Sequence, residues 1–326
     1  MTTTVVTGCA GFIGFHLVER LLSDGHRVVG LDSMTDLHDP ALKRARLSRI
    51  EGRPGFAFHR IDLVDAAAVK ELVLEAQPQG LVHLAAQAGV RYSIENPRAY
   101  TDSNLVGFAN VLEACAGAKV GHLVYASSSS VYGQNQKVPF SEDDPVDHPV
   151  SYYAATKKAN ELQAHAFSHI HRLPASGLRF FTVYGPYGRP DMAPLLFARA
   201  ILRGSPIKLF NGGRMRRDFT YVDDVIEAVV RVLARPPPDE AGRAPHRVLN
   251  VGNSTPVELE EFVSLLEKHL GRKATRVLAP MQPGDVPATW ADTRRLFELT
   301  GFAPATSLDE GLRRTAEWLI AYEGRA

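Results

Sequence analysis

The chain has 326 residues, of which 45% are hydrophobic, and its formal net charge at neutral pH is only +1. This length allows a large buried core and favours two lobes, and the near-zero charge argues against a nucleic-acid or membrane surface as the main partner. Two cysteines cannot form a disulfide framework, and neither a signal peptide nor an apolar run of the ~20 residues that a membrane span requires is visible. We therefore expect a cytoplasmic protein that binds its ligand in a cleft.

The N-terminal segment combines a strand, a glycine-rich turn and a helix. Residues 4–7 have the composition of a short buried strand, and Gly8, Gly11 and Gly14 follow at the spacing GxxGxxG. In this context the glycines allow a tight turn and the close approach of a pyrophosphate to a helix N-terminus. The next apolar run ends in Asp32, at the position where an acid accepts hydrogen bonds from the ribose hydroxyls of NAD and repels a 2′-phosphate. The segment therefore predicts an NAD-binding turn.

Strand-like and helix-like segments then alternate along the chain, which predicts an α/β fold with a Rossmann-type, doubly wound parallel sheet. The ligand crevice of such a sheet lies at the carboxyl ends of its strands. After about residue 182 glycine and proline become frequent and the alternation stops, so we expect a smaller mixed α/β C-terminal substrate lobe. The predicted domains are 1–181, rejoined by about 218–255, and 182–326. The predicted strands are 56–62, 81–85, 122–127 and 176–181, and the predicted helices lie near 65–76, 98–117 and 152–171.

Tyr153 and Lys157 are four residues apart in the last of these helices. Residues at this spacing lie on one helix face, with Cβ atoms roughly 5–6 Å apart. A phenol has a pKa near ~10, which an adjacent cation lowers, so the pair could remove a proton from a sugar hydroxyl. Such a pair also arises by chance on surface helices. In this sequence the other motifs favour a catalytic interpretation of the pair.

Two polar runs have ordinary structural interpretations beside functional ones. Any serine of the run 127–130 could satisfy its own backbone at a strand end. The basic run 214–217 could be a solvated turn, although the Asp-Phe-Thr-Tyr that follows it favours a ligand contact. The twelve histidines show no ligand spacing, so no metal site is predicted.

Together these motifs resemble the extended short-chain dehydrogenase/reductases that act on nucleotide sugars, and within them the UDP-glucuronate 4-epimerases. The likeness covers nearly the whole chain. It implies an NAD-binding Rossmann domain, a C-terminal lobe for a UDP-sugar, and a homodimer. The motifs that carry it are GxxGxxG at 8–14, HLAAQAGVR at 83–91, SSSSVYG at 127–133, YxxxK at 153–157, LRFFTVYGP at 178–186 and RDF at 217–219.

The resemblance also implies roles for individual residues. Tyr153 is similar to the catalytic base, Lys157 to the lysine that holds the nicotinamide ribose and lowers the tyrosine pKa, and Ser128 to the serine that contacts the reacting hydroxyl. Four consecutive serines leave the register open, so Ser129 or Ser130 could make that contact instead. The implied cofactor-binding residues are Gly8, Gly11, Phe12, Ile13, Gly14, Asp32, Asp62, Leu63, Leu84, Ala85, Ala86, Gln87, Asn104, Ser127, Tyr153, Lys157 and Phe180. The implied substrate-binding residues are Ser128, Ser129, Ser130, Thr182, Arg189, Phe210, Arg217 and Asp285.

The activity that the resemblance implies is inversion of C4 of UDP-glucuronate to give UDP-galacturonate. A hydride would pass to bound NAD, the 4-keto sugar would rotate, and the hydride would return. Related decarboxylases and dehydratases have a glutamate where this chain has Ser130, which argues against loss of CO₂. Three alternatives stay open: a 4-epimerase for UDP-glucose and UDP-galactose, a UDP-glucuronate decarboxylase, and a non-catalytic dinucleotide sensor, which would not need Ser128, Tyr153 and Lys157.

Overall fold

The computed structural model describes residues 2–35, 37, 39–281 and 287–324. Its strands are β1 Thr3–Thr7, β2 Arg27–Leu31, β3 Phe56–His59, β4 Gly80–His83, β5 His122–Ser128, β6 Ala175–Phe180, β7 Thr182–Tyr184, β8 Ile207–Leu209, β9 Arg216–Tyr221, β10 His246–Val251, β11 Pro256–Glu258, β12 Arg276–Leu278 and β13 Ala288–Thr289. Its α-helices are α1 Phe12–Ser23, α2 Pro40–Ile50, α3 Ala66–Ala76, α4 Tyr92–Glu95, α5 Pro97–Tyr100, α6 Gly107–Gly117, α7 Tyr152–His171, α8 Ala193–Leu202, α9 Val222–Leu233, α10 Leu259–Leu270, α11 Arg294–Thr300 and α12 Leu308–Glu323.

A parallel sheet with the strand order β10-β6-β5-β4-β1-β2-β3 forms the centre of the molecule. The order reverses between β1 and β4, so the chain winds outward from β1 in both directions. This arrangement confirms the predicted doubly wound α/β fold. It also places the crevice for a ligand at the carboxyl ends of β1 and β4, where the strand order switches.

The central strands are apolar on both faces because helices cover both sides of the sheet. Successive side chains of a strand point to opposite faces, and β1 shows this directly. Val6 belongs to the core that α1 and α9 cover, whereas Val5 belongs to the core beneath α3 and α6. Both valines are fully buried. The sheet is therefore rigid where its strands end at the crevice.

Two smaller sheets form beyond residue 181. In one, β9 pairs with β7, β11 and β13, and in the other β8 pairs with β12. Between β9 and β11 the chain returns to the large sheet, where β10 pairs in parallel with β6. The limits of the two domains at residue 181 and at 218–255 stay a prediction. Within the described ranges, no helix has the length and apolar character needed to cross a membrane.

The single helix predicted near 98–117 is interrupted in the structure. A π-helical turn, Thr101–Val106, separates α5 from α6. Such turns are uncommon and often occur at functional sites. Here the turn contains Asn104, whose backbone carbonyl accepts a hydrogen bond of 2.7 Å from Nδ2 of Asn160 on α7. The distortion thus ties this segment to the helix that carries Tyr153.

A buried ion pair fixes α7 against the sheet. Glu161 follows Tyr153 and Lys157 at the same four-residue interval, so the three side chains share one helix face. Arg179 on β6 donates two hydrogen bonds of 2.8 Å to the Glu161 carboxylate, and the Ser127 hydroxyl on β5 donates a third of 2.7 Å. Both charged side chains are about 5% exposed or less. The rotation of α7 about its axis is therefore set by this carboxylate.

We expect Glu161→Ala to lower the free energy of unfolding by about 3–5 kcal/mol, because it leaves the Arg179 guanidinium buried without a counter-charge. Chemical denaturation of the full chain measures this. Asp143→Ala is the matched control, since Asp143 pairs with the partly exposed Arg295 at the surface and should contribute little. An equal loss of stability in the two variants would show that burial of the Glu161 pair is unimportant.

Candidate active site

The glycine-rich turn at the end of β1 leaves no room for side chains. Gly8 has a φ of +70°, and a methyl group on it would lie 2.7 Å from the amide nitrogen of Ala85. A Cβ at Gly14 would lie 2.1 Å from the carbonyl oxygen of Gly8, and one at Gly11 2.9 Å from the same atom. The backbone of α1 is therefore packed directly on the turn.

The N-terminus of α1 fits an anion. No side chain caps it and its first turn has no acidic residue, so the amide groups at Phe12 and Ile13 lack an internal acceptor from the cap. Gly11 is partly exposed at this point. Unpaired amides at a helix N-terminus bind phosphate. The turn and the helix together match the diphosphate of a dinucleotide.

Asp32, at the end of β2, lies at the other side of the turn and is 5% exposed. Its carboxylate accepts hydrogen bonds from the amides of Ala10 (3.2 Å) and Met34 (2.8 Å). Nζ of Lys43, on α2, lies 2.8 Å from Oδ1 of Asp32. Sequence analysis missed Lys43, because no motif places α2 beside β2. The acid predicted to hold a ribose is thus fixed by both amides and a cation.

The segment after β4 forms the opposite wall of the crevice, and Leu84, Ala85, Ala86 and Gln87 are all partly exposed there. Asn104 fixes this wall from behind: its Oδ1 accepts from the Gln87 amide at 2.8 Å, and its Nδ2 donates to the Gln87 carbonyl at 3.0 Å. Asn104 is 1% exposed. Asn104 therefore positions the wall. Its side chain is bonded within the protein, which argues against a direct contact with a cofactor.

Of the remaining predicted cofactor residues, Phe180 lies at a strand end, whereas Asp62 and Leu63 follow β3, which ends at His59 and not at the predicted residue 62. The exposed Asp62 accepts from the Val64 amide at 3.1 Å, and Leu63 is buried with its carbonyl bonded to Asn110. Phe180 ends β6 and is 8% exposed. Their contacts with a cofactor stay predictions.

Lys157 is 2% exposed, and its ammonium donates a hydrogen bond of 2.9 Å to the carbonyl of Ala126 on β5. Burial lowers the pKa of Lys157 to about 8. Burial also raises the pKa of Tyr153, whereas the charge of Arg189 and a hydrogen bond with the Ser128 side chain act to lower it. The expected lowering of the Tyr153 pKa by Lys157 stays a prediction. Desolvation of the phenolate is the larger effect, and the opposing cation is Arg189.

The serines at 127–130 lie in two environments, because the side chains of Ser127 and Ser128 point to opposite faces of β5 and the next two serines follow its end. Ser127 is buried, and its hydroxyl donates to Glu161 beneath the sheet edge. The prediction that Ser127 contacts the cofactor is thus unsupported for its side chain. Ser128 bonds with Tyr153, donates to Oγ of Ser130 at 3.0 Å, and accepts from the Ser130 amide at 3.2 Å. Ser129 and Ser130 lie in the following 3₁₀ turn and are partly exposed.

Arg189 approaches Tyr153 from the segment after β7. Its guanidinium pairs with Asp191, with Nη2 2.6 Å from Oδ2 and Nε 3.1 Å from Oδ1. A methyl group on Gly89 would lie 3.6 Å from Nη2 of Arg189 and 3.6 Å from the Tyr100 hydroxyl. The ring of Tyr100 meets that of Tyr153 edge to face, with centroids 6.1 Å apart. The structure thus brings the predicted base and the predicted substrate arginine into one site.

The other predicted substrate residues lie in the C-terminal lobe or at its start. Thr182 begins β7 and is partly exposed. The guanidinium of Arg91 lies 5.3 Å from the centre of the Phe210 ring, a contact that sequence analysis did not foresee. Arg217, on β9, donates to the carbonyls of Arg216 and Pro287. Asp285 lies outside the described residues. In the described part of the chain, no three or more His, Cys, Asp and Glu side chains are grouped to hold a metal ion.

Comparison with known proteins gives consistent results. The model of the NAD dependent epimerase/dehydratase family matches residues 4–252. A probable UDP-glucuronate 4-epimerase of Rhizobium meliloti is 49% identical over 327 residues, which are 96% of each chain. UDP-glucuronate 4-epimerase 1 of Arabidopsis thaliana is 45% identical over 99% of this chain and 77% of its own. The crystal structure of UDP-glucuronic acid 4-epimerase from Bacillus cereus, in complex with UDP-glucuronic acid and NAD, is 33% identical with a TM-score of 0.90, and the match covers 98% of this chain and 100% of that one.

We expect Gly14→Ala to abolish the retention of a dinucleotide, because its Cβ would displace the carbonyl of Gly8 and open the turn. The nucleotide released on denaturation of the purified protein, measured against protein concentration, checks this. Gly117→Ala is the control: Gly117 ends α6, and a methyl group there has no neighbour within 4 Å. Full nucleotide retention in Gly14→Ala would contradict the assignment of the turn.

Proposed function

The chain belongs to the NAD-dependent epimerase/dehydratase family, and from this premise we propose that it inverts C4 of UDP-glucuronate to give UDP-galacturonate, with NAD as its cofactor. The observation that supports UDP-glucuronate as the substrate is the position of Arg189. This cation lies beside Tyr153 and Ser128, which are bonded to each other. A neutral sugar needs no cation there, whereas the carboxylate of a uronic acid does.

The residues of the crevice fit NAD. The turn at Gly8 and the N-terminus of α1 would hold its diphosphate, Asp32 would accept from a ribose, and Lys157 would lie near the nicotinamide ribose. Bound NAD would accept a hydride from C4 and return it. In our proposal Tyr153 takes the proton of the sugar 4-hydroxyl and later returns it, and the Ser128 side chain orients that hydroxyl through its bond with Tyr153.

The surroundings of the sugar suit inversion without loss of CO₂. We propose that Ser129, Ser130 and Thr182 supply neutral hydroxyls to the carboxylate and that Arg189 supplies the charge. The hydroxyl of Ser130 bonds with Ser128, and no acid stands at this position to protonate the carbon left by decarboxylation. Phe210, Arg217 and Asp285 remain the proposed contacts of the uridine and its diphosphate.

We also propose a homodimer located in the cytoplasm. Support for the homodimer comes from α7, whose outer face exposes two large apolar side chains: Leu162 is 59% exposed and Ile170 68% exposed. In our proposal these two side chains would be buried between the two copies of the chain.

The purified protein should convert UDP-glucuronate to UDP-galacturonate without added coenzyme and should release little CO₂, as product separation will show. We expect Tyr153→Phe to lower kcat by about 10²–10⁴-fold, because it removes the group that transfers the proton. Tyr152→Phe is the matched control, since Tyr152 is an exposed neighbour that bonds with Thr101. Unchanged activity in Tyr153→Phe would favour the dinucleotide sensor, and a UDP-pentose as the main product would favour the decarboxylase.

Arg189→Ala distinguishes a uronate from a neutral substrate. We expect kcat/KM to fall about 30-fold more for UDP-glucuronate than for UDP-glucose, because the variant removes a charge-assisted hydrogen bond that only the uronate can make. Arg98→Ala, which removes an exposed arginine paired with Asp102, serves as the control. If the two substrates lose the same factor, the protein is an epimerase for neutral sugars.

A further inference from the structure

Arg189 already has a carboxylate partner in this structure. Asp191 binds it through two nitrogen atoms, in the bidentate geometry that a free carboxylate would adopt. Both side chains are partly exposed, with 26% and 29% of their surface accessible. The pair lies beside Gly89, whose φ of +112° excludes an ordinary side chain from this side. A carboxylate arriving at Arg189 must therefore compete with Asp191.

The backbone that precedes Arg189 is held in place. Arg46 on α2 is 6% exposed and donates to the carbonyl of Tyr187 at 2.7 and 3.0 Å and to that of Gly188 at 3.1 Å. Burial lowers the pKa of His16 to about 4, so its neutral ring donates from Nε2 to the Pro186 carbonyl at 2.9 Å. An exchange of partners at Arg189 therefore involves the side chain, without movement of the segment before it.

The Tyr187 side chain adds to this anchoring. Its ring packs against Phe15 of α1 at 5.2 Å and against Trp318 of α12 at 4.8 Å between centroids. Tyr187 itself has a φ of +57°, a strained conformation for a non-glycine residue that persists where surrounding contacts enforce it. The turn is thus fixed on both sides of its strained residue.

We propose that Asp191 is an internal competitor for Arg189: it occupies the arginine before the sugar binds, yields it to the uronate carboxylate, and takes it back when the sugar turns over. This inference rests on the proposed function, in which the sugar must rotate between the two hydride transfers. A carboxylate held without competition would bind more tightly but would oppose that rotation. Asp191 would then act as a specificity-determining residue that weakens uronate binding in favour of turnover.

Asp191→Asn should separate affinity from rate. In this variant we expect KM for UDP-glucuronate to fall about threefold to tenfold, because Arg189 is no longer occupied before binding, and we expect kcat to fall as well. Neither constant should change for UDP-glucose, which has no carboxylate. Calorimetric titration in a Tyr153→Phe background, where turnover is suppressed, should show the same gain in affinity for UDP-glucuronate and none for UDP-glucose.

Three further variants make the test decisive. Asp191→Glu keeps a carboxylate and should restore the wild-type constants. Asp143→Asn removes one negative charge at the exposed pair with Arg295 and should change neither constant. Asp191→Ser replaces Asp191→Asn if the latter loses its nucleotide or its thermal stability.

The outcomes of this experiment are distinct. An Asp191→Asn variant that is folded, retains its nucleotide, and binds UDP-glucuronate no more tightly than wild type would overturn the inference. The same holds if the affinities for UDP-glucuronate and UDP-glucose rise equally. Failure of the wild-type protein to convert UDP-glucuronate would instead overturn the proposed function. The wild-type protein thus tests the proposed function, and the Asp191→Asn variant tests the inference.

Discussion

The free energy of placing a negative charge on Tyr153 is the constraint on which the site depends. Burial of the phenol raises its pKa, so the base must be assisted by charges and hydrogen bonds that the fold brings to it. The sequence suggests Lys157 for this task, but the Lys157 ammonium donates to the Ala126 carbonyl. Arg189 and Ser128 provide the stabilisation in the structure. The site is thus completed by a residue beyond the large sheet.

This dependence explains why so much of the molecule serves to position three side chains. Glu161 and Arg179 fix the face of α7, the π turn with Asn104 fixes the wall after β4, and Arg46 fixes the turn before Arg189. Each of these groups is buried and carries hydrogen bonds to backbone or to an opposite charge. Positional precision in a catalytic site requires such a supporting layer, because a displacement of about 1 Å can cost much of the rate.

The features that sequence analysis predicted are those with a local cause. The glycine spacing at 8–14, the apolar strand β1 and the four-residue interval on α7 each follow from neighbours in the chain, so the fold and the cluster of Tyr153, Lys157 and Ser128 could be predicted. The contacts of Lys43 and Arg46 and the approach of Arg189 to Tyr153 depend on the three-dimensional fold, and no local pattern marks them. The direction of the Ser127 side chain likewise depends on the register of β5, because successive side chains point to opposite faces, and four identical residues in succession conceal that register.

The double role of Arg189 links the acidity of the base to the identity of the sugar. The same guanidinium acts to lower the pKa of Tyr153 and is our proposed partner of the uronate carboxylate. A bound carboxylate would neutralise part of its charge, and Asp191 neutralises it in the same way before binding. Exchange of one carboxylate for the other would keep Arg189 paired throughout, whereas Asp191, two residues away in the chain, would remain near the site as an additional negative charge. The exchange would therefore couple substrate binding to the pKa of Tyr153, which an additional negative charge nearby raises.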